Sequence, residues 1–401
     1  MTRQDFYKAT MMQVLLKKWG PNNYCTFSFK SRGKEKLGVI AEAVRKRFQP
    51  VTRRFPSNVG AKCPFTFTNR DYNFFMNLGL DETAKHLQQR QTLMQTHPGF
   101  PVVFVCEDRG GDLFLEVSGR IQDVTWYEIA VLQVVQEEWS RWNGWLFDPD
   151  IVEEGRKRLR EKVIEFNKMP LGKCKIIEMG TRRAFSESWH REVVTYLAKN
   201  LKNFAGTSNI GLAQELGVPC KGTMAHEYLQ MGQVLAPNLR CTNDFMLRAW
   251  HDIFQGRFGI ALSDVLGTKV FFREFQKELA TWFDGTRQDS GVAKEYGFNM
   301  MNHYDSLDIS AKTKDICFSD SLGLANSFDL VDTFYQDYRT VILGIGTFFS
   351  NDMGVDALKI VMKMTTFNGK PVAKIADGGG AKMMCKDNNY VELLKKANDI
   401  E

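Results

Sequence analysis

The sequence predicts an α/β protein, a parallel barrel built from the middle of the chain with an additional α+β domain formed from its two ends. Three observations lead there. From Lys175 onward, short apolar runs alternate with amphipathic helical patterns, which is the rhythm of parallel strands joined by crossover helices. The first third lacks that rhythm and mixes helical patterns with an antiparallel hairpin. The last stretch is a second hairpin, predicted to return to the first domain. The expected divisions are residues 1–145, 146–357 and 358–401, consistent with a 401-residue chain too long for one simple domain.

Taken in order, Phe6, Thr10, Val14 and Leu15 recur at helical spacing, and Cys25-Thr-Phe-Ser-Phe reads as a short strand. Val102-Val-Phe-Val and Leu113-Phe-Leu-Glu-Val flank Gly110-Gly111, a hairpin with its turn residues in place. Helical stretches run from Trp126 to Trp145 and from Asp150 to Asn167. The strand candidates that follow are Lys175-Ile-Ile-Glu-Met, Asn203-Phe-Ala, Phe258-Gly-Ile-Ala-Leu, Ile316-Cys-Phe-Ser and Val341-Ile-Leu-Gly-Ile, with two more near Val218 and Phe283. Between them, Trp189, Val193, Leu197 and Leu201 form one apolar helix face, and Phe271, Phe275, Leu279 and Trp282 another. The closing hairpin turns at Asn368-Gly369.

Composition bounds the function. Hydrophobic residues are 43% and charged residues 25%, so disorder, collagen and coiled coil are excluded. The net charge of +6 is spread along the chain, whereas a nucleic-acid-binding tail would concentrate it, and anionic small molecules fit such a balance equally well; Arg53-Arg54 and Arg156-Lys-Arg-Leu-Arg are the only short basic candidates, and each reads as a solvated loop or helix face. There is no signal-peptide pattern and no apolar run long enough for a membrane span, so a cytosolic location is expected. The eight cysteines (25, 63, 106, 174, 220, 241, 317 and 385) are scattered singly, without a C-x-x-C pair, and read as free buried thiols. The P-loop, dinucleotide, zinc-hydrolase and serine-hydrolase motifs are all missing.

In a parallel barrel the ligand site is made by loops at the carboxyl ends of the strands. Those loops here are Gly180-Thr-Arg-Arg, Gly206-Thr-Ser-Asn, Ser263-Asp264, Arg287-Gln-Asp-Ser-Gly, Ser319-Asp-Ser and Gly344-Ile-Gly-Thr. Gly344, Gly346 and Thr347 suit a phosphate cradle or a plain tight turn. Asp264, Asp289 and Asp320 suit Mg²⁺ or ribose hydroxyls, or a helix cap. Arg182, Arg183 and Arg287 suit carboxylate or phosphate, or surface ion pairs. Of six histidines (86, 97, 190, 226, 251 and 303), His226 lies in Gly222-Thr-Met-Ala-His-Glu, a small-residue approach to a helix. There it reads as a base or nucleophile, or as a structural histidine beside a carboxylate.

Eight pieces in order, Asp5-Phe-Tyr-Lys, Glu178-Met-Gly-Thr-Arg-Arg, Gly206-Thr-Ser-Asn, Gly222-Thr-Met-Ala-His-Glu, Gly259-Ile-Ala-Leu-Ser-Asp, Arg287-Gln-Asp-Ser-Gly, Phe318-Ser-Asp and Gly344-Ile-Gly-Thr, make the chain resemble the nicotinate phosphoribosyltransferase family nearly end to end. The resemblance implies an irregular barrel of the type II phosphoribosyltransferase kind and a homodimer. It implies formation of nicotinate mononucleotide and pyrophosphate from nicotinate and phosphoribosyl pyrophosphate (PRPP) in NAD biosynthesis, with Mg²⁺, and with ATP hydrolysis through a phosphohistidine at His226. It further implies that Asp264 and Asp289 hold Mg²⁺ and PRPP, and that Arg287 contacts ribose or phosphate. Asp320 would bind ribose, and Gly344, Gly346 and Thr347 the 5′-phosphate. Met179, Arg182, Arg183 and Ser208 would line the substrate site, and Tyr7 would stack on the ring from the partner subunit. Ser208 stands where relatives that use nicotinamide have an aspartate; a hydroxyl able to donate favours the acid over the amide.

Three departures accompany the match: Met179 for a stacking phenylalanine, Gln288 for a histidine, and Val292-Ala293 for Asp-Pro. The competing readings are a nicotinamide-using phosphoribosyltransferase, opposed by Ser208, and a catalytically silent NAD-precursor binder, opposed by the presence of His226, Arg287 and Asp289. Quinolinate phosphoribosyltransferase is opposed by the histidine motif.

Overall fold

Two sheets organise the chain in the computed structural model, which describes residues 3–48, 65–96, 102–375, 377 and 384–400. Arg53, Arg54, Cys63 and His97 lie outside the described residues.

The first sheet is antiparallel and contains β1 (Tyr24–Ser31), β2 (Val102–Arg109) and β3 (Asp112–Arg120). β2 and β3 pair from Val102↔Gly119 to Arg109↔Asp112 across the two-residue turn Gly110-Gly111, whose φ values of 65° and 89° explain the glycines. Val102, Phe104 and Cys106 alternate inward on β2, as do Leu113, Leu115 and Val117 on β3. Against this region lies the helix Tyr127–Trp142, buried over almost its whole length, with Glu128, Gln133, Gln136, Glu137 and Glu138 among its buried residues.

The second sheet is parallel: β4 (Cys174–Glu178), β5 (Phe204–Thr207), β6 (Ile260–Leu262), β7 (Gly285–Gln288), β8 (Asp315–Phe318) and β9 (Thr340–Ile345), in the order β5-β4-β9-β8-β7-β6. All residues of β8 and β9 are buried, the pattern of strands covered on both faces. The crossover helix Glu187–Asn200 buries Trp189, Val193 and Leu197, and Ser186 caps it by accepting from Trp189 N–H. Finally β10 (Ile360–Phe367) and β11 (Lys370–Pro371) form the closing hairpin, turning at Asn368 (φ 48°) and Gly369 (φ 77°). β10 pairs antiparallel with β1, so the chain's last strands complete the first sheet in the order β11-β10-β1-β3-β2.

Among the described residues the parallel ladder does not close into a ring. Between β5 and β6 lies the segment 218–225, which bridges to Thr207 only at Cys220 and reaches β6 only through the Thr223 hydroxyl, donated to Ile260 O at 3.0 Å. Pro219, lacking an N–H, and Gly222, at φ 149°, keep that segment from forming a strand, so the candidate near Val218 is a single bridge. The candidate near Phe283 falls two residues later, as β7. The stretch from Phe271 to Trp282 is two helices, Thr268–Glu274 and Lys277–Trp282, because Gln276 adopts an extended conformation between them. The seven described cysteines are free, and no helix among the described residues is long and apolar enough to cross a membrane.

Candidate active site

The carboxyl ends of five of the six parallel strands, β4, β5, β7, β8 and β9, open on one cleft of about 660 Å³. Its lining comes from each in turn: Met179, Arg182 and Arg183 after β4, Ser208 after β5, Arg287 and Asp289 at the end of β7, Asp320 after β8, and Gly344, Gly346 and Thr347 from β9 and the turn beyond. The N-terminal helix Phe6–Trp19 adds Tyr7, and His226 projects from the first turn of the helix His226–Leu235. Asp264, following β6, is buried directly behind His226. The structure therefore brings together every residue singled out from the sequence.

Glu178 fixes the loop that carries Met179 and the two arginines. Its carboxylate, fully buried at the end of β4, accepts from His190 Nε2 (2.9 Å), Thr207 Oγ1 (2.6 Å) and Gly180 N (2.6 Å). Burial disfavours its charge, yet the His190 imidazole and these donors hold its pKa below the usual range. The Met179 sulfur fills the space beside Gly344, where a Cβ would lie only 2.7 Å from it.

A second cluster surrounds His226. Its Nε2 lies 3.0 Å from Asp264 Oδ1, 3.3 Å from Asp289 Oδ2 and 2.7 Å from Lys374 Nζ. Lys374 also contacts Asp264 Oδ2 at 2.8 Å, to which Ser290 donates at 2.7 Å. Ser319 donates to Asp289 Oδ1 at 2.8 Å, and Arg287 stands 3.7 Å from its other oxygen. Burial, reinforced by the Lys374 ammonium, pushes the His226 pKa down to about 4, so the imidazole is neutral at physiological pH. Burial alone would raise Asp264, but Lys374 and His226 hold it well below the carboxylate range. His226, Asp264 and Asp289 place one donor atom each within 4.8 Å of one another, the spacing of a possible cation site.

The rest of the cleft wall mixes cations, among them Arg32, Arg182, Arg183 and Lys363, with acids, among them Asp5, Glu128 and Glu227. Burial, with Arg182 beside it, lowers Arg183 to about 10, and burial together with Arg182 and Lys374 lowers Lys363 to about 8 despite Glu128 nearby.

One expectation changes. Tyr7 was expected from a partner subunit, but it lines the cleft of its own chain. Its helix is tied there by Phe6 N donating to Ser208 O (2.8 Å) and by the Asp5↔Asn209 bridge. The Ser208 hydroxyl donates to Asp5 Oδ1 at 2.8 Å. Sequence reading assigned no role to Asp5, Arg32, Glu128, Glu227, Lys363 or Lys374, all of which line the cleft. Asp5 and Glu227 stood inside quoted motifs, whereas the two lysines reach the cleft only because β10 returns to the first sheet.

Comparisons with known proteins agree in one direction. Residues 174–401 match the model of the nicotinate phosphoribosyltransferase (NAPRTase) family. The chain is 37% identical over 399 residues to the nicotinate phosphoribosyltransferase of Xanthomonas axonopodis pv. citri (strain 306), covering 98% of this chain and 95% of that protein. It is 35% identical over 400 residues to that of Burkholderia mallei (strain ATCC 23344), covering 99% and 95%. Among solved structures, nicotinate phosphoribosyltransferase from Vibrio cholerae superposes with a TM-score of 0.83 at 28% identity, covering 100% of this chain and 93% of that one. The fold is shared with the Porphyromonas gingivalis structure of the same name, at a TM-score of 0.80, 24% identity and coverage of 100% and 99%.

Proposed function

The chain belongs to the nicotinate phosphoribosyltransferase family, and from that premise we propose that it joins nicotinate to PRPP, with ATP hydrolysis coupled through a phosphohistidine at His226. The observation that carries this reading is the neutral His226, bracketed by Asp264, Asp289 and Lys374, in a cleft lined by arginines, lysines, carboxylates and glycines.

In the transfer, the bond from ribose C1 to the pyrophosphate oxygen breaks and the pyridine nitrogen forms the new bond to C1 with its own lone pair. Pyrophosphate leaves with the electrons of the broken bond. No strong base is required. The chain's part is to align the ring and to hold developing charge, with Arg287 and the Gly344–Thr347 turn facing phosphate oxygens and Asp320 facing ribose. In the coupling half, a ring nitrogen of His226 takes the γ-phosphoryl of ATP, the bond to ADP breaks, and water later releases phosphate. The two carboxylates beside the ring steady it as it gains positive charge.

Asp264 and Asp289 offer the hard oxygen donors that Mg²⁺ takes, whereas the His226 nitrogen is a poor match for it. Two carboxylates suit an ion that draws its remaining ligands from water and substrate phosphates. Bound there, Mg²⁺ would supply neutralisation of charge on the leaving pyrophosphate.

The test is product analysis with nicotinate and with nicotinamide, each with PRPP and Mg²⁺, with and without ATP, for wild type and His226→Ala. Nicotinate mononucleotide from the acid, with ATP stimulation lost in the variant, is expected. Product from the amide alone would replace this reading with a nicotinamide-using enzyme, and no product from either would leave a silent binder.

A further inference from the structure

We propose that Asp5 sets the acid-versus-amide preference of the cleft, by taking up a proton when the substrate's carboxylate binds and so turning Ser208 from a hydrogen-bond acceptor into a donor. The inference rests on the reading that the pyridine carboxylate sits beside Ser208.

A carboxylate only accepts hydrogen bonds, and a serine hydroxyl has one proton to give. With Asp5 ionised, that proton is committed to Asp5 Oδ1 at 2.8 Å, and Ser208 can offer the cleft nothing but lone pairs. Such a surface suits an amide NH₂ and opposes an anion. Asp5 is itself buried and lines the cleft, so a second carboxylate against it would meet like charge in a poorly solvated space. Both conflicts vanish in one rearrangement. Protonated Asp5 donates to Ser208 Oγ, and the Ser208 hydroxyl turns to donate to the ligand. One proton comes from solvent for each nicotinate bound, and no covalent bond changes.

The surroundings make this proton affordable. Asp5 is faced by Arg182, Glu178 and the Thr181 hydroxyl from β4 and its loop, by Tyr7 on its own helix, by His190 on the helix Glu187–Asn200, and by Cys220 from the segment that spans β5 to β6. His190 is engaged by Glu178, so Arg182 is the one cation of the group open to the cleft. Burial moves the Asp5 pKa up from its ordinary value, against the hydrogen bonds from Thr181 and Ser208 and the pull of Arg182. Arg182 then supplies the charge for the ligand while Ser208 supplies direction.

Isothermal titration calorimetry of the full-length protein tests this, with nicotinate and nicotinamide titrated in buffers of different ionisation heat between about pH 6 and 9. Wild type is expected to take up as much as one proton with nicotinate and none with nicotinamide. Its nicotinate affinity should fall about tenfold per pH unit above the Asp5 pKa. Asp5→Asn, whose amide donates to Ser208 permanently, should bind nicotinate with no proton uptake and a flat pH profile, and Ser208→Ala should weaken nicotinate about tenfold or more. Proton-free, pH-independent nicotinate binding by wild type would overturn the proposal without any variant, as would an Asp5→Asn profile matching wild type. Failure of wild type to bind or convert nicotinate at any pH would instead sink the reading it rests on.

Discussion

Lys8→Met should destabilise the fold by about 3–5 kcal/mol, because it leaves a buried carboxylate without its counter-charge. Lys8 is fully inaccessible on the N-terminal helix, and its ammonium sits between Glu128 Oε2, at 2.5 Å, and Glu227 Oε1, which also accepts from Thr125 Oγ1 at 2.9 Å. Burial by itself would raise the Glu128 pKa, but Lys8, with Lys363 and Arg182 behind it, brings it from 4.5 down to about 2. A shift of that size corresponds to about 3 kcal/mol of preference for the charged form. The sign follows from the lowered folded-state value: the contribution is complete above pH 4.5 and is lost as pH falls toward 2. Glu227 behaves oppositely, since burial raises it and it can become neutral once Lys8 is gone. Glu128 is therefore the liability, and Lys8→Met/Glu128→Gln should recover more than half of the loss. Urea-unfolding midpoints at pH 7 for wild type, single and double variant measure both steps. A Lys8→Met loss below about 1 kcal/mol, or a double variant no better than the single, would refute the reasoning.

Other expectations follow from single positions. Val292 occupies the N-cap of the helix Ala293–Ser306 with no side-chain cap, and is 60% exposed; Val292→Asp should raise stability by about 1 kcal/mol, read as a higher melting temperature, and an unchanged value would count against the cap assignment. A Cβ at Gly285 would lie 1.9 Å from the Asp315 carbonyl oxygen on the neighbouring strand. Gly285→Ala should cost about 3 kcal/mol or more, visible as lost soluble yield, whereas a near-native midpoint would mean that β7 and β8 are further apart. Glu274 accepts from Asn243 N (2.7 Å) and Asp244 N (3.1 Å), and burial raises its pKa to about 7 against those donors and Arg273. Because the folded-state value lies above the unfolded one, stability should decline as pH rises from 4.5 to 7. Glu274→Gln should flatten that slope in a melting series, and an unaltered slope would assign it elsewhere.

How far the sequence foretold this molecule depends on the range of the interaction. Strands β4, β5, β6, β8 and β9 were legible because parallel strands are apolar throughout and their helices are amphipathic, and both hairpins because Gly110-Gly111 and Asn368-Gly369 are turns whose chemistry is local. The segment 218–225 was misread because Val218 is apolar while Pro219 and Gly222 act on the hydrogen bonding that one residue type cannot reveal. The cleft residues after strand ends were legible for the same reason as the strands. Lys363 and Lys374 were not. On β10 and just past its hairpin they look like ordinary solvated lysines, and only the return of the last strands to β1 carries them to His226 and Arg182. Ser208 was legible, but its bond to Asp5 was not, since the two lie 203 positions apart in the chain.

The lysines matter for a reason that a basic-patch search would miss. The cleft is lined by six cationic side chains and six acidic ones, so it offers a polyanionic substrate no surplus of positive charge. Several of its cations are already engaged: Lys374 is held by Asp264 and Arg287 stands by Asp289. Phosphate groups entering such a space must either draw these cations from their internal partners or arrive with neutralising cations of their own. The internal pairs solve a prior problem, which is keeping arginine and lysine desolvated and oriented before any ligand is present. On this view the acids of the cleft hold its cations ready, and the modest, dispersed net charge of the sequence is the outward sign of a site whose charges are matched internally.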